Sequence, residues 1–126
     1  MLQLTTIFFV ISLGLLALLH YLALEFFLYW RFIWIDLVMH FFGGAVVALG
    51  CFTLKDFIRG IPVRFLYVVP VISAVLIVSL LWEIFEIYIG VPVLEPGFGR
   101  DAIFDILSAL LGGFVGFVVG HSIRKL

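Results

Sequence analysis

Charge is scarce in this chain. Seven Lys and Arg and eight Asp and Glu make up 12 % of 126 residues, about half the ~25 % of an ordinary soluble domain. Cysteine is nearly absent. The single Cys51 excludes an internal disulfide and any CxxC motif, and its apolar setting makes it a small core filler. A basic leader is missing as well: residues 1–24 hold no Lys or Arg, and their apolar run outlasts the ~7–15 residues of a signal-peptide h-region. That run is expected to stay in the mature protein as a helix. Low-complexity tracts and soluble linkers are absent. The net charge of −1 gives no sign of a nucleic-acid partner.

What the chain does have is apolar surface. Hydrophobic residues make up 66 % of it and its mean hydropathy is +1.38. So short a chain has too little interior to hide that surface from water, so lipid must solvate it. A span needs ~20 apolar residues, and the sequence supplies four, at about 4–24, 36–54, 65–89 and 101–120. The breaks between them have the right chemistry. "EFFLYWRFIWID", residues 25–36, is an aromatic interfacial belt. "KDFIRGIPVR", residues 55–64, is polar and holds Gly60 and Pro62, and "GVPVLEPGFGR", residues 90–100, is rich in Gly and Pro. Pro70 falls near the start of span three, where a missing N–H costs least. The predicted fold is therefore all-α: a single transmembrane domain, a four-helix bundle of two adjacent hairpins. A faint internal echo, "DLVMHFFGG" opening span two and "DAIFDILSALLGG" opening span four, fits two similar hairpins side by side.

Four spans place both termini and the 55–64 loop on one side. Lys55, Arg59, Arg64, Arg124 and Lys125 lie there, against Arg31 and Arg100 on the other. The positive-inside rule then sets both termini in the cytoplasm, in what is expected to be a bacterial or archaeal cytoplasmic membrane. The acids divide the opposite way. Glu25, Asp36, Glu83, Glu86, Glu95, Asp101 and Asp105 fall on the outer half and Asp56 alone on the inner.

Residues three or four apart share a helix face. Asp36 and His40 share one; Glu83 and Glu86 share another, with Ser79 a turn deeper; Asp101, Asp105, Ser108 and Gly112 share a third. Polar residues in a span face the bundle interior or a wet cavity, so three stripes at one depth point to one site. Its carboxylates cannot all remain ionised at low dielectric without protons or a counter-cation. Carboxylates with one imidazole suit a hard or borderline divalent ion such as Mg, Mn, Fe or Zn. The expected ligands are Asp36, His40, Glu83, Glu86, Asp101 and Asp105. Carboxylate metal sites in bundles follow the same logic, although the usual ExxH pair is replaced here by ExxE. A competing reading pairs these acids with Arg31 and Arg100 purely to fix helix register.

Other polar residues read more plainly. His20 and Glu25 are five apart and cannot both face inward, so His20 is a lone polar contact. Glu95 is a solvated loop residue and His121 an interfacial one. Gly112, Gly116 and Gly120, and Gly44 with Ala48, are small-xxx-small patterns that let helices approach closely.

Asp-x-x-x-His opening one span, "WEIFE" closing the next and "RDAIFDILSALLGG" after it resemble the VanZ-like superfamily of small bacterial membrane proteins, with its YjdF-like relatives. The resemblance covers residues ~36–116 and points to Asp36, His40, Glu83, Glu86, Arg100, Asp101, Asp105 and Gly112. Ser108 stands where such chains often carry Asn. The founding family is associated with resistance to teicoplanin, a cell-envelope antibiotic, so the resemblance implies an envelope setting and a site, not a reaction.

Three functions follow as expectations. The first is a membrane enzyme or binder for a lipid or lipid-linked anionic molecule. In it, His40, Glu83, Glu86 and Asp105 carry the chemistry around a divalent metal, and Arg31 and Arg100 meet an anionic head group. The second is cation or proton transport through the paired carboxylates, opposed by inner halves that look dry. The third is a non-catalytic accessory subunit, partnered by a second copy or another membrane protein.

Overall fold

The structure, a computed structural model, describes residues 3–90 and 97–124. Glu95, read as a solvated loop residue, and Lys125, counted toward the inner positive charge, lie outside the described residues.

Four long helices form: α1 (Leu4–Glu25), α3 (Trp34–Phe57), α4 (Val68–Tyr88) and α5 (Phe98–Arg124). Each is long and apolar enough to cross a membrane, and no strand occurs among the described residues. The aromatic belt holds a four-residue helix, α2 (Leu28–Arg31). Phe27 begins it in the left-handed region at φ 55°, reversing the chain. A 3₁₀ turn, Val63–Leu66, precedes α4. Pro70 is the third residue of α4, among the positions with no helical N–H partner.

Burial is the inverse of a water-soluble protein's. Large apolar side chains cover the outside, including most of α1, whose buried residues are Thr5, Thr6 and Ala23. Polar and small residues fill the inside: His40, Thr53, Ser79, Glu83 and Asp105 are all buried. In lipid an apolar exterior costs nothing, and helices associate through close packing and interhelical polar contacts instead.

The two hairpins meet along α3 and α5, which share the most extensive interface; α1 packs on α3, and α4 on α5. Glycine explains the intimacy. A Cβ at Gly44 would strike the backbone carbonyl of Ala109, and one at Gly112 would strike that of Phe41. At Gly116 it would lie 2.5 Å from the Ala45 carbonyl oxygen, and at Gly120 2.6 Å from the Phe52 ring. These contacts pair early α3 with early α5 and late with late, so the two helices run parallel. Along the same seam Ala48, Phe52, Leu66, Val71, Val75 and Ala109 form an apolar core.

The end carrying Gln3 and Arg124 is tied by a second polar network. Arg124 pairs with Asp56 and donates to the Phe52 carbonyl at 3.1 Å. Thr6 and Thr5 donate to Asp56 Oδ2 at 2.8 and 3.3 Å. The polar 55–64 stretch predicts a loop that includes Lys55 and Asp56. The structure carries α3 through both, because no breaker intervenes before Gly60, which takes φ 99°. α5 likewise starts three residues earlier than expected, placing Arg100 and Asp101 in its first turn.

Candidate functional site

Asp36 lies in the first turn of α3 and Asp101 in the first turn of α5. An acid there complements the positive N-terminal end of the helix dipole, so helix formation alone explains both. Glu83 and Glu86 are different. They sit near the C-terminal end of α4, where that dipole opposes negative charge. Local structure gives no reason for them, and a tertiary one is required.

That reason is His40, one turn below Asp36. Its Nε2 stands 3.7 Å from Asp36 Oδ1, 3.8 Å from Glu83 Oε1 and 3.9 Å from Asp105 Oδ2. Three helices thus aim a carboxylate at one imidazole nitrogen. None of the three separations is a hydrogen bond, which would need ~2.7–3.2 Å. Among the described residues Glu83 Oε1 is buried with no hydrogen-bond partner, and so is Ser79 Oγ a turn deeper. Two sets, Asp36–His40–Asp105 and His40–Glu83–Glu86, each place their ligand atoms within 4.8 Å of one another. The side chains of His40, Glu83 and Asp105 are 7, 8 and 9 % exposed, whereas that of Asp36 is 44 % exposed. Asp36 is therefore the side on which the cluster opens.

Five of the expected ligands, Asp36, His40, Glu83, Glu86 and Asp105, are brought together. Asp101 is exposed and belongs to neither set. Arg31, on α2, and Arg100 are exposed at the same end of the bundle. Neither makes an ion pair among the described residues, so arginine does not neutralise the cluster. Ser108 donates to the Leu37 carbonyl at 2.6 Å, tying α5 to α3 beside the site.

Two residues join that sequence reasoning left out. Trp82 Nε1 donates to Glu86 Oε1 at 3.0 Å, holding one carboxylate by its back. Tyr29, on α2, shares a 2.7 Å hydrogen bond with His20 Nδ1. Its hydroxyl is pushed up to about 12 by burial and by the charges of Asp36 and Glu86, so it stays a phenol. The i, i+4 spacing of Trp82 and Glu86 was the available signal for the first; Tyr29, inside an aromatic belt, gave none.

If Glu86 is a ligand, its indole partner orients it. Trp82→Phe is then expected to weaken divalent-ion binding by about 10–100-fold, the usual cost of a lost outer-shell partner. Isothermal titration with Zn²⁺ or Mn²⁺ measures it; unchanged affinity removes Glu86 from the ligand set.

The fold and cluster define a small polytopic membrane protein with a buried imidazole–carboxylate centre at one end of its bundle. Residues 2–126 match the family described as "Predicted membrane protein (DUF2238)", and the chain belongs to that family. No curated protein and no solved structure matches it.

Proposed function

We propose that this protein holds a divalent metal ion at the His40 cluster and uses it to bind or act on an anionic lipid or lipid-linked molecule at the outer face of the membrane. The supporting observation is the convergence of Asp36, Glu83 and Asp105 on His40 Nε2 at separations too long for hydrogen bonds. Donors held ~2.0–2.2 Å from one ion stand no more than ~4.4 Å apart, and each carboxylate's 3.7–3.9 Å from Nε2 lies within that limit, in two ligand sets that share His40. Imidazole among carboxylates favours Zn, Mn or Fe over Mg, which prefers oxygen and water.

Exposed Arg31 and Arg100 at the same end supply guanidinium groups suited to phosphate. A bound ion would polarise a phosphoryl or carbonyl oxygen and acidify a water. Asp36, the open member, is the group placed to receive a proton from outside the shell. The resemblance to VanZ-like chains agrees with an envelope setting. Transport is the weaker reading. An apolar core of Ala48, Phe52, Val71, Val75 and Ala109 fills the bundle, and the further buried polar groups Thr53 and Ser79 are uncharged hydroxyls.

Elemental analysis of the detergent-purified protein tests the proposal. A stoichiometric transition ion is expected at neutral pH. It should be released as pH falls, because carboxylate and imidazole ligands bind only when deprotonated. Purification without metal and failure to take up Zn²⁺ or Mn²⁺ would overturn it. Ion flux in liposomes would favour transport instead.

A further inference from the structure

The end of the bundle opposite His40 carries a cavity of about 270 Å³, lined by Gln3, Leu4, Thr5, Lys55, Ile123 and Arg124. It lies where α1, α3 and α5 meet. Two of its polar groups, Lys55 and Arg124, are donors with capacity to spare. Arg124 spends part of its guanidinium on Asp56 and on the Phe52 carbonyl, but the group has five N–H donors. Lys55 is half-buried and makes no ion pair among the described residues. Asp56 is already satisfied by Arg124, Thr5 and Thr6. The carboxylate cancels the guanidinium, and the ammonium of Lys55 has no counter-charge among the described residues beside the cavity.

Size and walls narrow the ligand. The volume sits just under the ~300 Å³ at which pockets begin to hold whole small molecules, so it takes a head group rather than a whole lipid. Leu4 and Ile123 give it two apolar walls. Thr53 Oγ1 and His121 Nδ1, on α3 and α5 near the same end, are buried without partners among the described residues, so this region of the bundle also has unused polar capacity.

We propose that this cavity binds a phosphate-bearing anion, in the first instance the head group of an anionic phospholipid, with Lys55 as its ion-pair partner and Arg124, fixed by Asp56, as a second donor. The site is separate from the His40 cluster and does not depend on any metal there.

Native mass spectrometry of the detergent-purified chain tests this, with short-chain phosphatidylglycerol, phosphatidylcholine of equal chain length and inorganic phosphate as probes. Phosphatidylglycerol is expected to be retained better than phosphatidylcholine. Lys55→Gln should weaken that retention by about fivefold, the effect of one basic residue at an anionic membrane surface, and Lys55→Glu should weaken it further. Arg59→Gln, which alters a loop residue outside the cavity, should leave it unchanged. Inorganic phosphate displacing the lipid at equal concentration would support the site and identify its ligand as free phosphate. Equal retention of both lipids, or equal losses in the Lys55→Gln and Arg59→Gln chains, would overturn the proposal, because diffuse surface charge then accounts for the binding. Thermal melts of each variant separate lost binding from lost fold.

Discussion

His40→Ala is expected to abolish measurable binding of Zn²⁺ or Mn²⁺, a loss beyond the ~10–100-fold of an outer-shell change, while Asp101→Ala is expected to leave it nearly intact. The contrast follows from position. His40 Nε2 is common to both candidate ligand sets, whereas Asp101 is exposed and in neither. A third variant, Asp105→Asn, separates a metal centre from structural glue. In a metal-free chain the carboxylates around His40 have no arginine partner among the described residues. Two ionised carboxylates ~4 Å apart repel by about 4 kcal/mol at an effective dielectric of 20. Asp105→Asn should therefore leave the metal-free protein as stable as before, or more so, and destabilise only the loaded form. If the cluster were instead an ion-pair network holding the helices, the same change would cost about 3–5 kcal/mol with or without metal. Melting curves with and without chelator distinguish the two.

The second large effect belongs to the α3–α5 seam. Gly44→Ala is expected to prevent accumulation of folded protein, and Gly43→Ala to be harmless. These neighbours have the same residue type and helix, but a Cβ at Gly43 meets nothing within 4 Å, whereas one at Gly44 strikes the Ala109 carbonyl. Overpacking a core usually costs ~1–3 kcal/mol because side chains can turn aside. A backbone carbonyl cannot, so the helices must separate, and that moves Asp36 and His40 away from Asp105. Gly112→Ala should behave as Gly44→Ala does, for it meets the Phe41 carbonyl from the other side of the seam. Detergent-solubilised yield and thermal stability report both. Normal stability in Gly44→Ala would show that the two backbones do not touch.

These residues also show what the sequence could reveal. The spans were legible because twenty-residue apolar runs have no soluble explanation, and the polar stripes because helical spacing puts Asp36 with His40 and Glu83 with Glu86. Spacing fixes a face but not a depth. It could not tell that Asp105 lies inside while Asp101, one turn earlier on the same stripe, stays at the surface. It was also silent on partners distant in the chain: Asp56 with Arg124, or Ser108 with Leu37. Glycine patterns announced close packing, yet which helix each would meet depended on the assembled bundle. The hairpin picture suggested neighbours in sequence, and the structure makes the tightest partners two helices that are not consecutive.

That parallel pairing bears on how the molecule is made. Asp36, His40, Glu83 and Glu86 are all synthesised before α5 emerges, and until it docks the glycine-edged groove of α3 lacks the backbone that fills it. Four of the five members of the acidic centre thus wait, without the last carboxylate, Asp105, for the final helix to enter the bilayer. Insertion of α5 is at once the closing step of folding and the step that assembles the chemistry.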